Sequence, residues 1–77
     1  MKYIIETSLG DMHRRFFKNF NANGLPIFVL DPKNAKHFDV EEDCFDVIDE
    51  IVGNYFNIKG VLLSCVIQPY WVKGFIK

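Results

Sequence analysis

Seventy-seven residues, 49% hydrophobic and 25% charged, with a formal net charge of -1, are enough for one small globular domain spanning residues 1–77 and too few for two independent cores. Eight Phe, three Tyr and one Trp supply core material, which excludes intrinsic disorder. Glu6 interrupts the first apolar residues and no run approaches the ~18 apolar residues of a membrane span. With two cysteines, Cys44 and Cys65, outside any C-x-x-C or zinc-ligand spacing, the expectation is a reduced, cytoplasmic protein without membrane contact.

In chain order, residues 2–8 alternate as a strand, with Tyr3, Ile5 and Thr7 opposed to Ile4 and Glu6. Residues 11–20 fit two periods. A helix gathers Met12, Phe16, Phe17 and Phe20, whereas a strand sets Met12, Arg14, Phe16, Lys18 and Phe20 against His13, Arg15, Phe17 and Asn19. Gly10-Asp11 supplies a turn just after the first strand, and Asn23-Gly24 is the preferred pair for a two-residue type I′ hairpin, so the strand is the reading adopted here. A short helix over residues 11–20 is the alternative, since Gly24 also suits a helix C-terminus. Residues 25–31 form another strand, stopped by Asp31-Pro32.

Asp39-Val40-Glu41-Glu42 has the spacing of a capping box, with Asp39 as N-cap, and predicts a helix over residues 40–56. At 100° per residue Cys44, Ile48, Ile51, Val52, Tyr55 and Phe56 share one face, and Glu42, Asp43, Asp46, Asp49 and Glu50 the other. Gly53 and Asn54 lie toward the polar side, where Gly weakens the last turn, and Asn57 or Gly60 ends the helix. Residues 61–67 are nearly all apolar and rich in β-branched residues, which predicts a central strand. Pro69 then separates an edge strand or folded-back tail over residues 70–76. The predicted class is α+β, a small antiparallel sheet packed against one amphipathic acidic helix.

The stretch from Pro26 to Asp39 carries Ala35-Lys36-His37-Phe38 between a strand and an acidic helix, after an N-terminal segment beginning Lys2-Tyr3-Ile4-Ile5. In this it resembles small phage and prophage accessory proteins, over roughly half the chain. The resemblance implies the same architecture and a phage-type origin; it implies no catalytic residues. The composition points to an A/T-rich genome, because Phe, Tyr, Met, Ile, Asn and Lys make up 34 residues against 12 for Gly, Ala, Arg and Pro.

Enzymatic signatures are missing from the sequence: there is no phosphate-binding loop, nucleophile elbow or H-E-x-x-H metal helix. Cys44 and Cys65 lie in apolar contexts that suit core thiols, so a non-enzymatic protein without cofactor or metal is expected. The informative pattern is charge. Residues 1–38 sum to +3, residues 39–50 to -7 and residues 51–77 to +3. Glu42, Asp43, Asp46, Asp49 and Glu50 therefore form the leading candidate site, a patch for a basic surface on a host protein that the chain would bind and inhibit, such as a nucleic-acid-handling or defence component.

The alternative is single-stranded nucleic acid on Arg14, Arg15, Phe16 and Lys18, where cations flank a ring able to stack on a base. A third expectation is a weak homodimer through the aromatic C-terminal segment, anchored by Trp71 and Phe75. Each patch also has a plain structural explanation, respectively a solvated helix face, a charged strand edge and completion of the core.

Overall fold

The computed structural model of the chain describes residues 1–8 and 14–70. Strands β1 (Lys2–Ser8), β2 (Arg15–Phe20) and β3 (Pro26–Val29) are followed by a short 3-10 turn (Pro32–Asn34), helix α1 (Glu41–Lys59) and strand β4 (Ser64–Tyr70). The strands form one antiparallel sheet in the order β3-β2-β1-β4, with α1 packed on one face. The α+β class read from the sequence is the class observed.

The centre of the sheet is β1. It pairs along its whole length with β4, from Lys2 opposite Tyr70 to Ser8 opposite Ser64. On its other side β2 pairs only at Glu6 and Thr7. The N-terminal half of that side is taken by Phe38, whose N–H and C=O both bond to Tyr3, at 2.8 and 2.9 Å. Among the described residues β4 is an outermost strand, which corrects the expectation of a central strand at 61–67. Val61 and Leu62 lie outside any strand and are exposed, while Leu63 turns into the core.

Pro69 sits inside β4 rather than ending it, for a reason visible in the hydrogen bonds. Because Tyr3 directs both backbone groups to Phe38, its partner Pro69 needs no donor toward β1. In an antiparallel ladder the missing N–H then falls on the outer edge, where proline is tolerated.

Residues 15–20 are a strand, not a helix; residues 9–13 lie outside the described residues. The competing helical spacing has a physical origin. The register slips between Phe17 and Asn19, so Phe17 faces Phe28 and Phe20 faces Pro26. One extra residue in β2 places side chains three apart on the same face. The Phe17 and Phe20 rings accordingly meet with centroids 5.0 Å apart.

The β2–β3 connection is not the two-residue turn that Asn23-Gly24 suggested. Asn21 N–H donates to the Leu25 carbonyl at 2.8 Å, closing a three-residue loop, and the Asn21 side chain accepts from the N–H groups of Asn23 and Leu25. Gly24 alone takes a positive φ, +86°, whereas a type I′ turn needs both central residues there.

The core joins Ile5, Phe17, Phe38, Cys44, Ile51 and Leu63, with Phe28, Val47, Ile48, Tyr55 and Ile67 packed around them. Asp39 is not the helix N-cap. Val40 occupies that position without a side-chain bond, and the Asp39 carboxylate pairs with Lys2 across the sheet end. The helix runs beyond residue 56 to Lys59 and stops at Gly60, whose φ of +73° is the left-handed cap and whose N–H bonds to the Phe56 carbonyl.

Candidate functional site

Acidic residues at the first turn of α1 complement the unpaired N–H groups and the positive end of the helix dipole, so Glu41, Glu42 and Asp43 favour the helix locally. Cys44 and Ile51 are wholly buried beneath it. This fixes the rotation of the helix, and Glu42, Asp43, Asp46, Asp49 and Glu50 are all exposed on the far side. Among the described residues none of these five carboxylates has an ion-pair partner. All five residues named from the sequence are therefore brought to one surface.

Two phenylalanines share that surface. Phe45 is 55% exposed and Phe56 49% exposed. The sequence reading placed Phe56 on the buried face and passed over Phe45. At 100° per residue both lie about 100–120° from Cys44, at the margin of the apolar sector, where hydropathy alone does not separate covered from open. Val52 is half-buried between them, and an added Cβ at Gly53 would meet nothing within 4 Å. Ile58 in the last turn of α1, and Val61 and Leu62 beyond it, are also exposed.

On its opposite flank α1 is tied to the sheet. Asn54 Nδ2 donates to the Gly24 carbonyl at 2.9 Å. Asn54 is thus a partner of the β2–β3 loop rather than a surface residue of the frayed turn foreseen for it.

The second candidate, Arg14, Arg15, Phe16 and Lys18, is divided by the fold. Phe16 pairs with Glu6 on the face opposite α1. Arg14 reaches Glu6 there, Nε to Oε2 at 3.3 Å, and Gln68 donates to the other Glu6 oxygen at 3.1 Å. Arg15 pairs with Thr7 in the alternate register and so belongs to the other face. Lys18 lies at the bulge, and its ammonium donates to the Asn34 carbonyl at 3.3 Å. The four residues do not converge on one ligand position. Trp71 and Phe75, the proposed self-association anchors, lie outside the described residues.

Chemistry has few footholds. Burial raises the Cys65 thiol to about 11. It also raises that of Cys44, helped by the Glu41 and Asp43 carboxylates, so both favour the neutral form. A recess lined by Thr7, Ser8, Arg15, Phe28 and Leu63 has room for no more than about one water. Among the described residues no group of three or more His, Cys, Asp or Glu is placed to hold a metal ion, and no helix is long and apolar enough to cross a membrane.

The chain matches no family model, no curated protein and no solved structure.

Proposed function

We propose that the chain is a non-enzymatic interaction module of phage or mobile-element type, which binds a host protein through the outer surface of α1. The observation that carries this reading is the presence on one helix of five carboxylates without an ion-pair partner among the described residues, beside two half-exposed phenylalanines. Carboxylates steer a basic partner and reject acidic ones, while the rings supply desolvated anchors that charge alone lacks. A partner with a basic surface, such as a protein that handles nucleic acid, is the target class, and covering that surface inhibits it. The test is affinity capture from bacterial lysate with the wild-type chain and with Asp46, Asp49 and Glu50 all replaced by Lys. A protein held by the first and released by the second supports the reading, provided circular dichroism finds both folded. A captured set that charge reversal leaves unchanged rejects it.

A second reading, single-stranded nucleic acid on the face opposite α1, is supported by the shared placement of Arg14 and Phe16 there. It is weaker because Glu6 already compensates Arg14. Titration with oligo(dT) and oligo(U) at low salt decides it. Nonspecific electrostatic binding reaches about 10⁻⁴ to 10⁻⁶ M, so no binding at ~0.1 mM rejects it.

A further inference from the structure

We infer that the partner docks through an extended strand, added antiparallel to the outer edge of β4 and carrying apolar side chains against the Phe45, Val52 and Phe56 flank of α1. The inference rests on the function proposed above and adds the conformation of the partner segment to its charge. The shape follows from the backbone. Tyr3 directs both of its backbone groups to Phe38, so by alternation Tyr3, Ile5 and Thr7 point away from β4, and their partners Pro69, Ile67 and Cys65 point outward. The N–H groups of Cys65 and Ile67, and the carbonyls of Cys65, Ile67 and Pro69, therefore line the outer edge. Among the described residues no strand lies beyond it. The two edges of the sheet differ. β3 is four residues long and opens on Pro26, whereas β4 has seven residues, no charge and one proline near its end. Short length, charge and proline are the usual protection of an edge, and residues 64–68 carry no charge and no proline.

Beside that edge lies an apolar shelf. Asn54 holds one flank of α1 to the β2–β3 loop, on the side of the sheet remote from β4, and the helix also packs on β1 and β4. Phe45, Val52 and Phe56 sit roughly 160–200° round the helix from Asn54, so their flank borders β4. Cys65 and Ile67, on the α1 face of β4, are only part-buried, and both rings are half-exposed. A strand beside β4 has one row of side chains facing that shelf. Charge selects the occupant. Glu41, Glu42 and Asp49 are exposed and lie within roughly 60° of the same line. Antiparallel pairing of β4 with a second β4 would set both copies of α1 on one face, acid toward acid, whereas a strand bearing Lys or Arg meets opposite charge.

Amide hydrogen exchange of the full chain, followed by NMR with and without a synthetic peptide, tests this. The peptide is Lys-Leu-Lys-Leu-Lys-Leu-Lys, whose Leu side chains share one face of a strand. In the free chain the outward amides of Cys65 and Ile67 exchange faster than those of Val66 and Gln68, which point to β1. With peptide at about ten times its dissociation constant, the Cys65 and Ile67 amides are expected to slow about tenfold. Methylating the Leu nitrogens, which face β4 in an antiparallel addition, abolishes binding, whereas methylating the inner Lys nitrogens leaves it. Phe45→Ala and Phe56→Ala each weaken binding about tenfold, the effect of truncating one interface anchor. Cys65 and Ile67 amides already slow in the free chain mean that the edge is filled by this chain or a second copy, and overturn the inference. Binding that survives methylation of the Leu nitrogens also overturns it. So does binding that leaves Cys65 and Ile67 exchange unchanged and is lost on reversing Asp46, Asp49 and Glu50 to Lys, a result that keeps the acidic docking surface. No peptide binding overturns the added strand as well, while capture from lysate still decides the host-protein reading.

Discussion

Both sides of α1 carry large apolar side chains, with opposite outcomes. On the inner side Cys44 and Ile51 are wholly buried in the core cluster that includes Ile5 and Phe17. On the outer side Phe45 and Phe56 stand half-exposed among carboxylates that no cation of the described chain neutralises. Folding accounts for one side of this helix and leaves the other unexplained. An aromatic ring in a small domain is valuable core material, and here two are held outside it.

The contrast can be broken most directly by truncation. Phe17→Ala removes a buried ring from the centre of the core and is expected to cost about 3 to 5 kcal/mol, enough to unfold much of so small a domain. Phe45→Ala is expected to change stability by about 0.5 kcal/mol or less. Urea denaturation of the two variants checks both. Comparable losses would mean that Phe45 is part of the core after all.

The two helix glycines sharpen the same comparison. Gly60 holds a left-handed conformation, so Gly60→Ala is expected to destabilise by about 1 kcal/mol, because a Cβ is strained there. Gly53→Ala has open space and helical backbone, and is expected to stabilise by about 0.8 to 1 kcal/mol. Thermal melts that move in the same direction for both would contradict the assignment of Gly53 to the outer surface.

Titration separates the regions more gently. Cys65 keeps its proton in the fold up to about pH 11, so its contribution to stability is intact below the ordinary thiol value of 9.0 and is lost as pH rises from there toward 11. The urea midpoint is therefore expected to fall over that interval, and less in Cys65→Ser. The smallest effect belongs to Asp39, whose carboxyl is held below its usual value by the hydrogen bond and charge of Lys2. Its contribution is present above the ordinary carboxylate range and fades as pH falls through the lowered value. Being fully exposed, it is also expected to weaken with salt.

Much of this arrangement was legible in the sequence. Alternation in residues 2–8 and the acidic helical period after Val40 are local signals; β1 stands where the first places it, and α1 starts where the second places it but runs three residues further. What was not legible depends on contacts distant in the chain. The apolar run 61–67 reads as central, yet the central strand is β1, whose polar Glu6 is satisfied from both neighbouring sides by Arg14 and Gln68, and β4 lies outside it. Asp39 carries an N-cap signature but is drawn to Lys2, brought near by the Tyr3–Phe38 bridge. The mixed period of residues 15–20 is a bulge, a choice made by β3 and not by β2 alone. The five carboxylates were named from spacing, whereas Phe45 and Phe56 needed the rotation of α1 about its axis, which packing sets.

The central claim is that recognition belongs to the outer surface of α1. Its most direct test is an amide-resolved NMR titration of the isotope-labelled chain with a synthetic basic peptide of Lys and Leu, at low and at physiological salt. Shifts are expected on the outer surface of α1, among the amides of Glu42, Asp43, Phe45, Asp46, Asp49, Glu50 and Phe56, weakened but unmoved in position by salt, with Phe16 and Lys18 unaffected. Shifts centred on Phe16 and Lys18, or spread evenly over both faces of the molecule, would contradict it.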